Sequence, residues 1–204
     1  MSQSSGIVFV VDDDPSVRKA AARLFRSVPL QVETFENARQ FLDFTRPDLP
    51  SCLVLDVRMP GLSGIELQEQ LAARGDLPIV FMTGHGDIPM SVQAIKAGAV
   101  DFLPKPVDDE KLLAAVQQAI DTHARKREQN AQLLVFRERM ASLTTRERDV
   151  MRLVVTGMLN KQIAKKLGIT EATVKVHRGR VMEKIGVKSI AELVRLSERA
   201  GQSR

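Results

Sequence analysis

The chain has 204 residues, 44% of them hydrophobic, which is enough for one large domain or two small ones with real cores. No apolar run approaches the roughly 20 residues that a membrane-spanning helix needs. The segment from Met1 to Gly6 lacks the features of a secretory signal, and the single cysteine, Cys52, excludes an intramolecular disulfide. These absences favour a cytoplasmic protein with no membrane partner.

The net charge of +5 is unevenly distributed. Residues 1–124 carry 11 basic and 17 acidic side chains, a net charge of −6, whereas residues 125–204 carry 19 and 8, a net charge of +11. A basic half favours a polyanionic partner, most often nucleic acid, although a solubilising surface has the same composition.

Strands and helices are predicted to alternate through the first half of the chain. Apolar runs indicate strands at 7–11, 30–34, the run that ends at Asp56, 78–82 and 99–103. Helix starts follow them, marked by Asp14 before Pro15 and by the capping-box pairs Asn37–Gln40 and Ser63–Glu66. The alternation predicts an α/β fold with a doubly wound, five-stranded parallel sheet and right-handed crossovers.

Polar residues follow four of these strands, where ligands of parallel sheets bind. They are Asp12, Asp13, Asp56, Thr83 and Lys105. Each alone has a commonplace explanation in turn chemistry or solvation. Together they predict converging carboxylates that need a divalent cation, Mg²⁺ (or Mn²⁺), and a carboxylate able to accept a phosphoryl group beside a lysine and a hydroxyl.

This set of residues, with Pro106 after Lys105, resembles the receiver domain of bacterial two-component response regulators over about residues 5–122. The resemblance implies that a sensor histidine kinase donates phosphate to Asp56. It also implies that Asp13, Asp56 and the backbone carbonyl of Arg58 ligate the metal, while Asp12 acts through water.

The same resemblance implies roles for three further residues. Thr83 and Lys105 would hold the phosphate, and Phe102 would be the aromatic residue that turns inward on activation; the alternative is that Phe102 simply packs. Pro106 is a candidate for a cis peptide bond. For His85, in the loop after Thr83, the more common outcome is no chemical role.

Residues 108–141 contain neither proline nor glycine and predict one long helix, or two end to end. Its first part carries an apolar stripe suited to packing on the sheet, whereas its middle is polar. That middle is compatible with a solvated helix or with a weak coiled coil between protomers. The predicted organisation is a receiver domain at 1–122, a helical linker at 123–141 and a second domain at 142–204.

The second domain is predicted to be all-α, with four helices. Thr144 and Glu147 form a capping box, residues 160–167 a short helix, and residues 168–170 a tight turn before a helix that runs from Glu171 to about Ile185. Ser189 begins the fourth helix. Two short helices joined by a glycine-containing turn are typical of a helix-turn-helix, whose second helix enters the major groove of DNA.

On that second helix, Val174, Val181 and Ile185 are expected to pack inward, with Arg178 on a different face. The residues expected from this geometry to reach DNA are Lys161, Thr170, Thr173, Lys175, Arg178 and Arg180.

The segments 143–148, 160–164 and 173–177 resemble the LuxR-type (NarL/FixJ) effector domain over about residues 141–201, and the joined architecture resembles the FixJ/StyR branch. The resemblance implies that Lys175 and Val176 approach bases and that Asn160, Lys161 and His177 approach the backbone. It also implies DNA binding as a dimer, usually through the fourth helix.

The prediction is therefore a two-component response regulator in which phosphorylation of Asp56 controls dimerisation and DNA binding. The face made by the fourth helix, fifth strand and fifth helix would pair two protomers or, alternatively, release the second domain. Its partners would be the kinase, a double-stranded DNA operator, a second copy when phosphorylated, and RNA polymerase. A phosphatase with an aspartyl nucleophile is the enzymatic alternative. Such enzymes need an acidic group where this chain has Arg58, so only hydrolysis of its own phosphate is expected. An RNA-binding output domain is a third possibility.

Overall fold

The computed structural model describes residues 6–72, 77–84 and 88–202. His85 therefore lies outside the described residues. The chain divides into two compact units, Met1–Arg127 and Glu128–Arg204.

The first unit contains the predicted five-stranded sheet. Its strands are β1 (Gly6–Val11), β2 (Leu30–Phe35), β3 (Ser51–Asp56), β4 (Ile79–Thr83) and β5 (Asp101–Pro104). They lie in the order β2-β1-β3-β4-β5, and every neighbouring pair is parallel. The helices between and after them are α1 (Pro15–Arg26), α2 (Ala38–Asp43), α3 (Gly64–Ala72), α4 (Ile88–Lys96) and α5 (Asp109–Ala141). The predicted fold class is confirmed.

Helices cover both faces of this sheet, which explains why its central strands are apolar throughout. Along β1, Phe9 points into a core shared with α2, α3 and α4. Its neighbours Val8 and Val10 point into a second core, which α1 and the first part of α5 complete. Cys52 is buried in this second core, as expected for a small core residue.

The helix starts follow the predicted capping. The Asp14 carboxylate accepts a hydrogen bond from the Ser16 N–H at 2.7 Å. Asn37 accepts from the Gln40 N–H at 3.0 Å. These side chains satisfy N–H groups that the first turn of a helix leaves without partners.

The strand β5 begins two residues later than predicted, at Asp101 instead of residue 99. Gly98 adopts φ +93°, and the N–H of Ala99 donates to the carbonyl of Ala94 at 3.0 Å. This is the bond that closes a helix end through a left-handed glycine. Because the Ala99 N–H is bonded to the end of α4, it cannot join the hydrogen bonds between β4 and β5, and the strand starts after residue 99.

The long helix α5 is continuous, and the two compact units divide it between them at residues 127 and 128. Val116 and Ile120 are buried under the sheet of the first unit. In the same unit, His123 Nδ1 accepts a hydrogen bond from the Ser51 N–H at 2.9 Å. Phe136, nearer the end of the helix, is buried in the core of the second unit.

The second unit adds four helices, α6 (Thr145–Val155), α7 (Asn160–Leu167), α8 (Glu171–Ile185) and α9 (Ile190–Gln202). Their core residues are Leu143, Val150, Met151, Val154, Ile163, Ala164, Val174, Val181, Ile185, Val187 and Leu193, together with Phe136. Left-handed glycines end α7 and α8, at Gly168 and Gly186. Within the described ranges, no helix combines the length and hydropathy that a bilayer span requires.

Candidate phosphoacceptor site and DNA-binding surface

Three carboxylates meet at one edge of the sheet. Asp12 follows β1 and Asp56 ends β3, and the register between these neighbouring strands pairs Val11 with Leu55, directly before the two aspartates. One oxygen each from Asp12, Asp13 and Asp56 lies within 4.8 Å of the others. Asp12 and Asp56 are buried, whereas Asp13 is exposed. The predicted convergence of these side chains is thus present.

Lys105 brings a positive charge to this cluster. Its Nζ lies 2.6 Å from Asp12 Oδ2 and 3.3 Å from Asp56 Oδ2. Burial alone would lower the pKa of Lys105, but the hydrogen bond and charge of Asp12, with the charge of Asp56, outweigh burial and raise it. The lysine is therefore held in its charged form. The peptide bond between Lys105 and Pro106 is cis, as the sequence suggested.

Asp56 sits in an environment that disfavours its negative charge. Burial is the main reason that its pKa is raised, and the neighbouring Asp12 carboxylate adds to the effect, while Lys105 opposes it. More positive charge at this point would stabilise the ionised form. Clustered hard oxygen donors with one open, exposed side are what a small divalent cation binds, so these residues fit such an ion.

Thr83 and Phe102 lie on the two strands beyond Asp56. Thr83 ends β4 and is buried, and its carbonyl accepts from the N–H of Lys105 at 2.7 Å. Phe102 is half-buried on β5, beside Phe81, with ring centroids 6.0 Å apart. Arg58 comes two residues after β3, and its side chain is exposed.

Two residues that support the site were missed at the sequence level. A Cβ on Gly64 would lie 2.2 Å from the backbone oxygen of Asp56, so only glycine allows α3 to start this close to the end of β3. Arg18 donates from Nη1 to the carbonyls of Asp12 and Asp13, at 2.7 and 2.9 Å. Neither role could be predicted from the sequence, because each depends on the three-dimensional path of the backbone that follows β1 or β3.

The helix α8 presents an exposed surface made of Lys175, Val176 and Arg180. Val176 is 53% exposed. The Thr170 side chain accepts from the Thr173 N–H at 3.1 Å and so caps the start of α8. Three of the residues expected to contact DNA, namely Lys175, Val176 and Arg180, are therefore exposed on α8.

Arg178 does not belong to that surface, and its predicted placement on a face different from that of Val174 and Val181 was wrong. It is half-buried, four residues after the buried Val174 and three before the buried Val181. Its Nη1 donates to Asn160 Oδ1 at the start of α7. The arginine therefore lies on the inner side of α8.

The remaining predicted contacts differ in their exposure. Lys161 is exposed at the first turn of α7, whereas Asn160 is half-buried against Arg178. His177 is also half-buried, and its Nδ1 is buried without a hydrogen-bond partner among the described residues. The Nε2 atom is then the imidazole nitrogen left to meet a ligand.

Sequence comparison agrees with the division seen in the structure. Residues 8–117 match the response regulator receiver domain, and residues 141–197 match the luxR family of bacterial regulatory proteins. Nodulation protein W of Bradyrhizobium diazoefficiens is 50% identical over 203 residues, covering 99% of this chain and 89% of that protein. The response regulator protein TodT of Pseudomonas putida is 46% identical, covering 100% of this chain and 90% of that protein.

Solved structures give the same result. The response regulator StyR matches with a TM-score of 0.80 and 52% identity, covering 96% of this chain and all of that one. Full-length FixJ from B. japonicum matches with a TM-score of 0.57 and 41% identity, covering 98% of this chain and 99% of that one.

A parallel sheet with an acidic cluster and a lysine at its carboxyl edge, followed by a helix-turn-helix, defines a receiver joined to a DNA-binding domain. The chain belongs to the two-component response regulators with a LuxR-type output domain, as do its FixJ and StyR relatives. It is a transcriptional regulator by family, and a kinase and DNA are the partners this architecture implies.

Proposed function

We propose that Asp56 is the phosphoacceptor of this response regulator. A carboxylate oxygen attacks the phosphorus of a phosphohistidine on the partner kinase, the P–N bond breaks, and an aspartyl phosphate forms. Asp56 suits this role because its side chain ends a buried strand beside Lys105, whose charge can meet the phosphoryl oxygens. Hydrolysis of this acyl phosphate by water would return the protein to its starting state.

Asp13, Asp56 and the backbone carbonyl of Arg58 are the proposed ligands of Mg²⁺ or Mn²⁺, with Asp12 acting through water. When bound, the cation supplies positive charge to the phosphoryl oxygens. The chain's own contribution is to hold the carboxylates within reach of one another and to keep Asp12 buried against Lys105. Arg18 braces the same loop through two backbone carbonyls.

The proposed switch uses Thr83 and Phe102. A phosphoryl group on Asp56 would offer an acceptor to the Thr83 hydroxyl and to Lys105, which now bonds Asp12. Movement of Thr83 would let the half-buried Phe102 turn further inward, changing the surface formed by α4, β5 and the first part of α5. That surface exposes Val92 and Ile95, at 45% and 46%, and we propose that it pairs two phosphorylated protomers.

The proposed DNA-binding set is centred on α8. Lys175 and Val176 would approach bases, with Arg180, Lys161, Thr170, Thr173 and the Nε2 atom of His177 near the phosphates. A dimer would place two α8 helices on half-sites about one helical turn apart, next to which RNA polymerase could be engaged.

The meeting of three carboxylates, two of which contact Lys105, carries the proposal. It is tested by incubating the protein with phosphoramidate and Mg²⁺ and measuring intact mass. The wild type should gain one phosphoryl group and Asp56→Asn should gain none. Asp101→Asn, an aspartate change on the neighbouring strand β5, is the matched control and should be labelled normally. Labelling of Asp56→Asn would place the phosphoacceptor elsewhere.

Dimerisation is tested separately by sedimentation velocity of the same samples. The proposal expects the labelled wild type to shift towards a dimer, and the unlabelled Asp56→Asn to stay as it was. If the labelled protein remains a monomer, the proposed pairing through α4 and β5 is wrong, although the phosphoacceptor assignment would stand.

A further inference from the structure

The buried face of α8 contains one charged residue. Val174, Val181 and Ile185 are at most 2% exposed and recur at the spacing that places residues on one side of a helix. Arg178 occupies the same side, between Val174 and Val181. Its stem lines a small crevice with Val150, Met151 and Leu193. Arg178 thus lies on the side of α8 that faces the core of the second unit, not on the side of the exposed Lys175 and Val176.

The charged end of Arg178 has a defined partner. Its Nη1 donates to the Oδ1 atom of Asn160, which is the first residue of α7. A hydrogen bond from a guanidinium is about twice as strong as one between neutral groups, and a half-buried position limits competition from water. This bond joins the first turn of α7 to the middle of α8, 18 residues later in the chain.

We propose that Arg178 is a positioning residue. It binds no phosphate or base itself, but holds the start of α7 against α8, so that Lys161 and Lys175 meet the duplex together. Asn160 is then the partner of Arg178 and not a contact to the DNA backbone. The inference rests on the proposed function, in which α8 is the DNA-binding helix.

Salt dependence separates a positioning arginine from a phosphate-binding one. Each phosphate neutralised by the protein steepens the fall of log affinity with log salt by about 0.9. Loss of a phosphate contact therefore weakens binding and flattens the salt dependence, whereas loss of a positioning contact weakens binding with the slope unchanged.

The experiment uses the full chain, phosphorylated with phosphoramidate, and a fluorescent duplex enriched by the wild type from a random-sequence pool. Anisotropy titrations at several salt concentrations compare Arg178→Met with Arg180→Met. The two variants make the same change in charge on one helix, but Arg180 is exposed. Asn160→Ala and the Arg178→Met/Asn160→Ala double variant complete the set. Circular dichroism melts check folding, and if Arg178→Met unfolds, Asn160→Ala carries the same comparison.

The expected result is that Arg178→Met and Asn160→Ala each weaken binding about tenfold, that the double variant is no weaker than either, and that all three keep the wild-type slope. Arg180→Met should reduce the steepness of log affinity against log salt by about 0.9, the value for one phosphate contact. A flattened slope for Arg178→Met, or losses that multiply in the double variant, would overturn the positioning role. Unchanged binding by Lys175→Ala would instead refute α8 as the DNA-binding helix.

Discussion

The pair formed by Glu147 and Lys184 gives the sharpest test of what holds the second unit together. Glu147 is 2% exposed, and its Oε2 accepts from the Thr144 N–H at 2.9 Å and from Lys184 Nζ at 2.6 Å. The first bond closes the capping box of α6, and the second joins α6 to the last turn of α8. One buried carboxylate therefore serves both a helix end and a contact between helices.

The size of this interaction follows from the acidity of Glu147. The hydrogen bond from Lys184, followed by that from the Thr144 N–H, lowers the pKa of Glu147 to about 2. A shift of this size corresponds to at most about 3 kcal/mol of stability. Lys184 is 37% exposed, so solvent screens part of it, and the capping bond survives without the lysine. We expect Lys184→Met to cost about 1 to 2 kcal/mol at neutral pH.

The sign of the pH dependence follows from the direction of the shift. The pKa of Glu147 is lower in the folded than in the unfolded protein, so its contribution is complete above the ordinary value of 4.5 and is lost as the pH falls towards about 2. The difference between the wild type and Lys184→Met should therefore be largest at neutral pH and should shrink below about pH 4.5.

The measurement is amide hydrogen exchange followed by mass spectrometry, because the chain has no tryptophan or tyrosine to report unfolding by fluorescence. Amides of α6 and α8 should exchange about 5 to 30 times faster in Lys184→Met, since each tenfold change is about 1.4 kcal/mol. Those of β1 and β3 should be unchanged. In a Glu147→Gln background, Lys184→Met should have little further effect. Equal effects in both backgrounds would refute a coupled pair.

Three further predictions concern glycines and the acidic cluster. Gly64→Ala should lower receiver stability by about 2 kcal/mol or more in thermal unfolding, and slow phosphoryl labelling, because its Cβ would collide with the backbone oxygen of Asp56; normal labelling would contradict this. Asp56→Asn should raise the melting temperature in metal-free buffer by removing one of three clustered carboxylates, and a fall would refute that repulsion. Gly186→Ala should lower the melting temperature more than Gly168→Ala. Both glycines have positive φ, where an alanine costs about 1 kcal/mol of stability, but a Cβ on Gly186 would also lie 2.1 Å from Arg139 Nη1. Equal melting temperatures for the two alanine variants would show that Arg139 simply moves aside.

Much of the receiver could be predicted because local and global preferences agree there. Apolar runs alternate with capped helices, and parallel strands bring their ends to one edge, so the meeting of Asp12, Asp56 and Lys105 follows from the order of elements. The capping boxes were predictable for the same reason, since each pair lies within one turn of its helix.

Contacts between elements distant in the chain were harder to predict. Arg178 fits the spacing of the inner face of α8, although it was expected on a different face, and only its partner Asn160 shows why it lies inside. The close approach at Gly64 depends on where α3 meets β3, and that distance leaves no trace in spacing or composition. The two-residue error at the start of β5 arose because a helix end competes for the Ala99 N–H.

The end of α5 has a practical consequence for work on the DNA-binding half. Phe136 is 2% exposed in the core of that half, and Arg139 Nη1 donates to the Ile185 carbonyl at 2.7 Å, at the last turn of α8. A fragment that begins at residue 142 would lack the Phe136 ring in its core and the Arg139 guanidinium that donates to the last turn of α8. Recombinant fragments for operator selection or NMR should therefore begin at or before Glu128, and weak binding by a shorter piece would reflect damage at the cut.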